Sequence, residues 1–384
     1  MNPPRLLYIS DVAPGPGGGG AIIAQRHLTR LAADGWAITV VTACADSALA
    51  GRYPDWKCVA VPARRWWWPP FNPARPALTR LRTALSRRAL ARVGVTRADA
   101  DVIVTICWGT TSWLAASLAR SWQRPLVAIV HDWWAEGGTA GDARIGKRVC
   151  ETAQNILVVS EEMRAAFAGF GREKVEVLYP LPEERSLPFV VWRDEFARAP
   201  AVAHVGTLHP YHVAYLADLA ARLAPLGGRL LVVCPADNPV LATLRARTSN
   251  LEHHDFFSSN LDALRWISAR ACAFTVMYAV STGAPGSPPT GFPSRLVEFA
   301  QLGLPVLLVA PAANPVRAWA VRGNWTAQFD PGDGDTADRL LAALTRRDDW
   351  EKLSAETRTA AQGDFDPLRL HMQFATILQR LATA

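Results

Sequence analysis

The sequence lacks long uninterrupted apolar runs. Stretches such as LVAIV (126–130) and VLLVA (306–310) last about five residues, whereas a membrane-spanning helix needs about 20. The first residues, MNPPRLLYIS, show no apolar core behind a basic start, the feature that marks a secretory signal peptide. We therefore expect a cytoplasmic chain that does not cross a membrane.

Paired cysteines are also absent. The six cysteines are scattered, without CxxC spacing and without a neighbouring histidine pair. Most stand in apolar segments, where cysteine behaves as a small hydrophobic residue. This usage predicts free buried thiols in a reducing compartment, and it predicts no metal site.

Acidic residues are missing from one long stretch. Nine arginines and no Asp or Glu occur between Arg64 and Arg97. Residues 1–185 hold 23 Lys and Arg against 16 Asp and Glu, while residues 186–384 hold 18 of each, so the net charge of +7 arises in the first half. Such a block of one sign favours an anionic partner.

Two series of apolar strands alternate with helical segments along the 384 residues. Near-continuous apolar strands separated by helices predict parallel sheets covered on both faces, and the length predicts two domains. The Pro- and charge-rich segment after the first series predicts a linker. The predicted parts are a first domain (1–182), a linker (183–199), a second domain (200–365) and a C-terminal helix (366–384). Two doubly wound domains predict a central ligand cleft that both of them face.

The segment TGFPSRLVEFAQLGLPVL (290–307) carries the most specific pattern. Ser294 and Arg295 stand at a predicted helix start, where unpaired N–H groups, a hydroxyl and a guanidinium favour a phosphate. Glu298 follows within one turn, where its carboxylate can accept hydrogen bonds from a ribose diol. The alternative is a serine N-cap followed by a solvated Arg and Glu.

The glycine-rich segment GPGGGGA (15–21) stands between the first strand and the first helix. Glycines such as Gly18 and Gly19 allow close approach of the backbone to a phosphate or sugar. The segment is not a GxGxxG fingerprint, and no acid ends the next strand, so a dinucleotide site is not expected. A plain flexible turn is the alternative.

VAIVHDWW places His131 and Asp132 at the carboxyl end of a strand, where doubly wound sheets bind ligands. His131 is a candidate to polarise a substrate, and Asp132 to orient that imidazole or accept a proton. Asp11, at the end of the first strand, is a second candidate base. A structural histidine is the alternative for His131.

These segments together resemble the GT-B glycosyltransferases, in particular the group-1, family-4-like enzymes of bacterial polysaccharide synthesis with an FPS[KR]LVE motif. The resemblance implies that Glu298 grips ribose, that Ser294 and Arg295 hold the diphosphate, and that His131 touches the donor sugar. Thr290 stands at the first position of the family's Glu-x7-Glu motif, of which Glu298 is the second, and Thr207 and His209 replace a usual Arg and Lys. By position, Thr290 and Thr207 are further candidate donor-binding residues. It also implies that Phe256 and Phe257 border the nucleobase, although both residues suit a core equally well.

Residues 64–97 combine an aromatic cluster with an arginine-rich helix. Tryptophans beside arginines suit the surface of an anionic membrane. Single-stranded nucleic acid and a packed aromatic loop under a solvated helix are the alternatives, and no nucleic-acid fold accompanies the segment. The predicted membrane-docking residues are Arg64, Arg65, Trp66, Trp67, Trp68, Arg80, Arg87 and Arg88.

The expected function is transfer of a hexose-type sugar from a nucleotide diphosphate sugar to a lipid-linked or polysaccharide acceptor. The expected enzyme is peripheral on the inner face of the cell membrane, and it needs no cofactor and no metal. A sugar-nucleotide epimerase of the same fold and a non-catalytic scaffold that binds an assembly partner are the alternatives. The missing first Glu and the missing Arg/Lys pair favour the scaffold, whereas the intact FPSRLVE and HD segments favour the enzyme.

Overall fold

The structure is a computed structural model in which part of the chain is described. The described residues are 3–16, 18–43, 47–61, 75–134, 138–184, 186–278 and 290–383, with the backbone alone at 47, 48, 75–79 and 82. The predicted docking residues Arg64, Arg65 and Trp66–Trp68 lie outside this set. No helix of the described segments is both long and apolar enough to span a membrane.

The chain divides into two compact units. Unit 1 comprises Met1–Leu181, Thr290–Phe292 and Leu368–Ala384, and unit 2 comprises Pro182–Pro289 and Pro293–Pro367. The segment predicted as a linker therefore groups with unit 2, and most of the C-terminal helix groups with unit 1.

Unit 1 is built on a parallel sheet that has seven strands within the described residues, in the order β3-β2-β1-β4-β5-β6-β7. The strands are β1 (Arg5–Ser10), β2 (Ala37–Thr42), β3 (Lys57–Ala60), β4 (Val102–Ile106), β5 (Leu126–Val130), β6 (Asn155–Val158) and β7 (Val175–Val177). The described helices that precede β7 are α1 (Gly19–Ala33), α2 (Ser47–Arg52), α3 (Arg75–Arg92), α4 (Thr111–Trp122), α5 (Ala140–Thr152) and α6 (Glu161–Ala166), with 3-10 turns at Arg97–Asp99, Ala168–Phe170 and Arg172–Lys174.

Unit 2 is built on a second parallel sheet, with six described strands in the order β10-β9-β8-β11-β12-β13. Its strands are β8 (Ala201–Val205), β9 (Arg229–Val233), β10 (Leu251–His254), β11 (Ala273–Met277), β12 (Val306–Val309) and β13 (Gln328–Phe329). Its helices are α7 (Asp194–Arg198), α8 (His212–Leu223), α9 (Pro239–Arg245), α10 (Asn260–Arg270), α11 (Ser294–Ala300), α12 (Pro315–Arg322), α13 (Gly334–Leu344) and α14 (Arg347–Gln362), with a 3-10 turn at Ala224–Leu226. Helix α15 (Pro367–Thr383) ends the chain.

The central strands form these sheets because their residues are apolar on both faces. Every residue of β4, β5 and β11 is buried, as a parallel sheet covered by helices on both sides requires. The strand order changes direction between β1 and β4 in unit 1 and between β8 and β11 in unit 2. These are the points where doubly wound sheets bind ligands, and the two sheets confirm the predicted fold class.

Helix α15 packs into the core of unit 1 through a buried pair of histidines. Its His371 lies with Nδ1 3.4 Å from Nδ1 of His27 on α1, and its Nε2 lies 3.1 Å from Oδ2 of Asp34. Because Asp34 accepts from Nε2 of His371, the other ring nitrogen accepts from His27. Phe374 packs on the His27 ring at 4.4 Å. Burial lowers the pKa of both imidazoles, that of His27 well below its ordinary value.

This pair predicts an acid-sensitive fold. When the folded-state pKa of a histidine is lower than its unfolded value of about 6.5, the unfolded state binds the proton more tightly. The free energy of unfolding is then unaffected above pH 6.5 and decreases as the pH falls below it. For His27, whose pKa lies well below its ordinary value, we expect the free energy of unfolding to fall by about 1 kcal/mol between pH 6.5 and 5.5. Urea titrations at pH 7.5, 6.5 and 5.5 measure this loss. His27→Gln should show a smaller loss, and an unchanged loss in that variant would contradict the assignment.

Candidate functional site

The site in unit 2 is centred on a contact between Arg295 and Gly206. Gly206 follows β8 with a φ of 112°, a conformation that favours glycine. A Cβ at this position would lie 2.7 Å from Cζ of Arg295, so only glycine leaves room for the guanidinium. The contact lies at the carboxyl edge of the sheet, beside the switch between β8 and β11.

Within the described part of the chain, no carboxylate balances the charge of Arg295. No ion pair forms at its guanidinium among the described residues, although the side chain is partly buried. Burial lowers its pKa, and the groups that act in the opposite direction are the hydroxyls of Tyr278 and Tyr211 rather than a carboxylate. A partly desolvated cation without a counterion is a site for an anion.

Helix α11 places Glu298 one turn after Arg295. Pro293 is the N-cap of this helix and makes no side-chain cap hydrogen bond, so Ser294 is the first helical residue rather than its cap. The Glu298 carboxylate accepts from the backbone N–H of Glu183 at 3.3 and 3.4 Å and from the side-chain amide of Asn260. These donors fix the orientation of the carboxylate in unit 2.

Aromatic side chains follow β10 near Asn260. Phe256 is 48% exposed, while Phe257 stacks on the His254 ring with centroids 3.9 Å apart. The Phe256 backbone N–H donates to the Asp255 carboxylate at 2.7 Å, which shapes the turn before α10. Of the two predicted nucleobase neighbours, Phe256 is therefore exposed and open to a ligand, whereas the Phe257 ring is already stacked on a residue of unit 2.

Imidazoles surround Arg295 where relatives are expected to carry Arg and Lys. The His209 backbone N–H donates to Nδ1 of His212 at 3.1 Å, and the His212 ring contacts those of His204 and Tyr211 at 4.9 and 4.4 Å between centroids. Burial, and next the Arg295 charge, lower the pKa of His212 to about 3 and lower that of His209. Thr207, which was predicted to bind the donor, is exposed.

Thr290 is a candidate donor-binding residue that does not belong to unit 2. It groups with unit 1, where its carbonyl oxygen accepts from the Ser160 hydroxyl at 2.7 Å. Its predicted donor-binding role stays a prediction. No cluster of three or more His, Cys, Asp or Glu is arranged to hold a metal ion within the residues that the structure describes.

The candidate residues of unit 1 follow β1 and β5. His131 is partly buried, and its ring lies against the first turn of α1, because a Cβ at Gly20 would lie 3.1 Å from its Nδ1. Burial lowers the pKa of His131 to about 4, so the imidazole is neutral at pH 7. Asp132 beside it is exposed.

The glycine-rich segment forms the start of α1. Gly18 is the N-cap of the helix with a φ of 144°, and Gly19 is its first residue. The backbone at Gly18 favours glycine for its conformation, and Gly20 for its contact with His131. The structure therefore brings the glycine segment and the HD segment together within unit 1.

Asp11 has a structural partner. Its Oδ2 accepts from the Thr111 backbone N–H at 3.1 Å. This bond places the carboxylate at the start of α4, against Gly109, whose φ is 76°. The contact anchors the end of β1, and the role of Asp11 as a base stays a prediction.

Helix α3 carries the described part of the predicted docking segment. It buries Thr83, Ser86 and Leu90, while Leu81 and Leu85 are 56% and 51% exposed. The arginines predicted to dock on this helix, Arg80, Arg87 and Arg88, are exposed. The helix thus presents Leu81, Leu85 and the arginines to solvent, and its buried side combines two polar residues with Leu90.

Several residues of these sites are absent from the sequence-based prediction. Asn260 contacts the predicted residue Glu298, which is remote from it in the chain. Tyr211 and His212 contact the predicted residue His209 through the loop before α8. The HPYH run (209–212) before a helical pattern was the available signal for the histidines.

Comparisons with known proteins agree with this architecture. Residues 17–181 match the model of Glycosyltransferase Family 4. The whole chain is similar to HepE of Anabaena, solved with UDP and glucose, with a TM-score of 0.69 and 16% identity over 98% of this chain and 99% of that one. The chain has the GT-B glycosyltransferase fold.

Two further solved structures share this GT-B fold. A glycosyltransferase of Rickettsia africae matches with a TM-score of 0.68 and 11% identity over 99% of both chains. The lipopolysaccharide outer core galactosyltransferase WaaB matches with a TM-score of 0.64 and 13% identity over 97% of this chain and 99% of that one. No curated protein sequence matches the chain. The GT-B resemblance is confirmed, while the FPSRLVE subtype stays a prediction.

Proposed function

We propose that this GT-B protein transfers a hexose-type sugar from a nucleotide diphosphate sugar to a lipid-linked or polysaccharide acceptor in bacterial surface glycan synthesis. The observation that carries the proposal is Arg295, a partly buried guanidinium without a carboxylate partner among the described residues, packed against Gly206. A diphosphate supplies the missing negative charge, and the planar guanidinium can bind two phosphate oxygens at once.

The other groups of unit 2 fit the rest of such a donor. Glu298, three residues after Arg295, presents a carboxylate oriented by Asn260 and the Glu183 N–H, which suits the hydroxyls of ribose. Phe256 offers an exposed ring for a nucleobase. HepE was solved with UDP-glucose as well as with UDP and glucose, so a uridine nucleotide is the first donor to test.

In the reaction, the acceptor hydroxyl oxygen forms a bond to the anomeric carbon, and the bond from that carbon to the diphosphate breaks. The hydroxyl proton leaves to a base, for which Asp132 and Asp11 are the candidates. The neutral His131 imidazole can hydrogen-bond a sugar hydroxyl as charge develops. Arg295 stabilises the departing diphosphate in the way a metal ion does in other transferases.

A transfer assay tests this function. The protein is incubated with membranes and, in turn, with UDP-glucose, UDP-galactose, UDP-N-acetylglucosamine, GDP-mannose, dTDP-glucose and ADP-glucose, and release of nucleoside diphosphate is measured. Acceptor-dependent release from one donor, unchanged by a chelator, is expected. A scaffold would release none, and an epimerase would convert the sugar without releasing the nucleotide.

Glu298→Ala is expected to weaken nucleotide binding by about 1–3 kcal/mol, because charged hydrogen bonds to the ribose are lost. Calorimetry with the nucleoside diphosphate that binds wild-type protein measures the loss. Glu252→Ala, at an exposed carboxylate of β10 paired with Arg229, serves as the matched control. Unchanged nucleotide affinity in a folded Glu298→Ala variant would refute the role of Glu298.

We further propose that α3 and the preceding aromatic segment dock unit 1 on an anionic membrane. Leu81 and Leu85 are exposed on a helix whose arginines are also exposed. Apolar side chains flanked by basic ones match the headgroup boundary of an anionic bilayer, where each basic residue contributes about 1 kcal/mol.

Flotation with liposomes tests the docking proposal. Wild-type protein should bind vesicles that contain phosphatidylglycerol and bind neutral vesicles much less, because basic residues are attracted to anionic headgroups and salt screens this attraction. A Leu81→Ser, Leu85→Ser double variant should bind less, above all at high salt. Val191→Ser, at an exposed site of unit 2, should bind like the wild type. Absence of binding at low salt would refute the proposal.

A further inference from the structure

After β8, where an Arg and a Lys are expected, this chain has a histidine, which is cationic only when it is protonated. Gly206 is followed by Thr207, Leu208 and His209, and no lysine or arginine occurs between residues 199 and 221. The only side chains there that can become cationic near Arg295 are therefore imidazoles. A diphosphate beside Arg295 would carry two negative charges, and residues 199–221 add no permanent positive charge to that of Arg295.

The geometry distinguishes the three histidines. His204 is 1% exposed at the end of β8, and His212 is 1% exposed at the start of α8. The Nδ1 atom of His212 accepts from the His209 backbone N–H at 3.1 Å, so a proton on Nδ1 would break that bond. His209 is the most accessible of the three, and its ring stacks on Tyr211 with centroids 5.3 Å apart.

We propose that His209 takes up a proton when a nucleotide diphosphate sugar binds at Arg295, and so supplies the second positive charge of the diphosphate site. His212 stays neutral and holds the loop through the bond to the His209 backbone. The inference rests on the proposed donor site, and it adds to that site a residue that makes donor affinity depend on pH.

The charges around His209 give the direction of the effect. In the free protein, burial and the Arg295 guanidinium lower the pKa of His209. Among the described residues, the Tyr211 and His212 rings contact His209, and the His204 ring contacts His212. All three side chains are neutral at pH 7. Residues 279–289 contain no ionisable side chain. A bound diphosphate brings negative charge next to the ring, so the pKa of His209 rises in the complex.

Linkage then fixes the sign of the pH dependence. A group that has a higher pKa in the complex than in the free protein binds a proton on association, so donor affinity rises as the pH falls through the pKa of the complex. One proton gives at most a tenfold change in affinity per pH unit. The rise ends below the pKa of the free protein.

Calorimetry with a nucleotide sugar tests this proposal, because its doubly esterified diphosphate does not itself titrate near neutral pH. Whichever of UDP-glucose, GDP-mannose, ADP-glucose and dTDP-glucose binds most tightly is titrated at pH 8.0, 7.0 and 6.0, in two buffers of different ionisation enthalpy. We expect affinity to rise several-fold from pH 8.0 to 6.0, with net uptake of up to one proton per donor bound.

Variants of His209 separate protonation from packing. The affinity of His209→Gln for the donor should not depend on pH and should equal the affinity that the wild type has at pH 8.0. His209→Lys should bind the donor tightly, also without dependence on pH. His253→Gln, at a histidine of β10 bonded to Arg245 and to the Cys234 carbonyl, should keep the wild-type slope. Thermal unfolding of each variant checks folding.

The outcomes separate this inference from the proposed function. Donor binding without proton uptake, or a wild-type slope in His209→Gln, would overturn the role of His209 and leave the donor site standing. Failure of every nucleotide sugar to bind would overturn the donor site and, with it, this inference.

Discussion

Replacement of Arg295 by glutamine should weaken nucleoside diphosphate binding by about 30- to 100-fold, or about 2–3 kcal/mol. The guanidinium is partly buried, has no carboxylate partner in the described part of the chain, and lies against Gly206. A charged bidentate contact to phosphate in this setting is among the stronger single interactions of a binding site. Isothermal titration with the nucleotide that binds wild-type protein measures the change.

Two variants control this result. Arg295→Lys keeps the charge but loses the planar fork, so it should recover part of the affinity. Arg347→Gln, at an exposed arginine paired with Glu351 in the same unit, should bind like the wild type. Wild-type affinity in a folded Arg295→Gln variant would show that the anion binds elsewhere.

Removal of the His131 imidazole should lower turnover at least tenfold while nucleoside diphosphate binding stays nearly intact. The ring lies at the carboxyl end of β5 against the first turn of α1, in unit 1, whereas the proposed diphosphate contacts belong to unit 2. A loss confined to the rate indicates an interaction made in the transition state. Acceptor-dependent nucleotide release and calorimetry on His131→Ala measure the two quantities.

Gly20→Ala provides an independent test of the same contact. Its Cβ would lie 3.1 Å from Nδ1 of His131, so the ring must move and turnover should also fall. His253→Gln, remote from unit 1 in its contacts, should keep full turnover. Equal turnover in His131→Ala and the wild type would show that His131 has only a structural role. Asp11 would then be the next candidate to test.

The fold was predictable from the sequence because its signal is local. Five-residue apolar runs such as those of β5 and β12 can be buried on both faces only within a covered parallel sheet. The HD pair was predictable for the same reason, since it directly follows β5. The start of α11 was predicted to within a residue, although Pro293 rather than Ser294 is its N-cap.

The partners of the site residues were less predictable because they depend on long-range packing. Gly206 and Arg295 are brought together by strands β8 and β11, which are adjacent in the sheet but far apart in sequence. The Asn260 amide reaches Glu298 from the start of α10, and no periodicity indicates such a bond. On α3, only packing shows that Leu81 and Leu85 are exposed while Thr83 and Ser86 are buried.

The central claim is that unit 2 binds a nucleotide diphosphate sugar at Arg295. A thermal-shift screen of wild-type protein and Arg295→Gln against nucleoside diphosphates and their sugars tests it most directly, since a ligand that binds the folded state raises the unfolding temperature. We predict stabilisation of the wild type by one nucleobase class, and loss of most of that shift in Arg295→Gln. Equal shifts in both proteins, or no shift with any nucleotide, would contradict the claim.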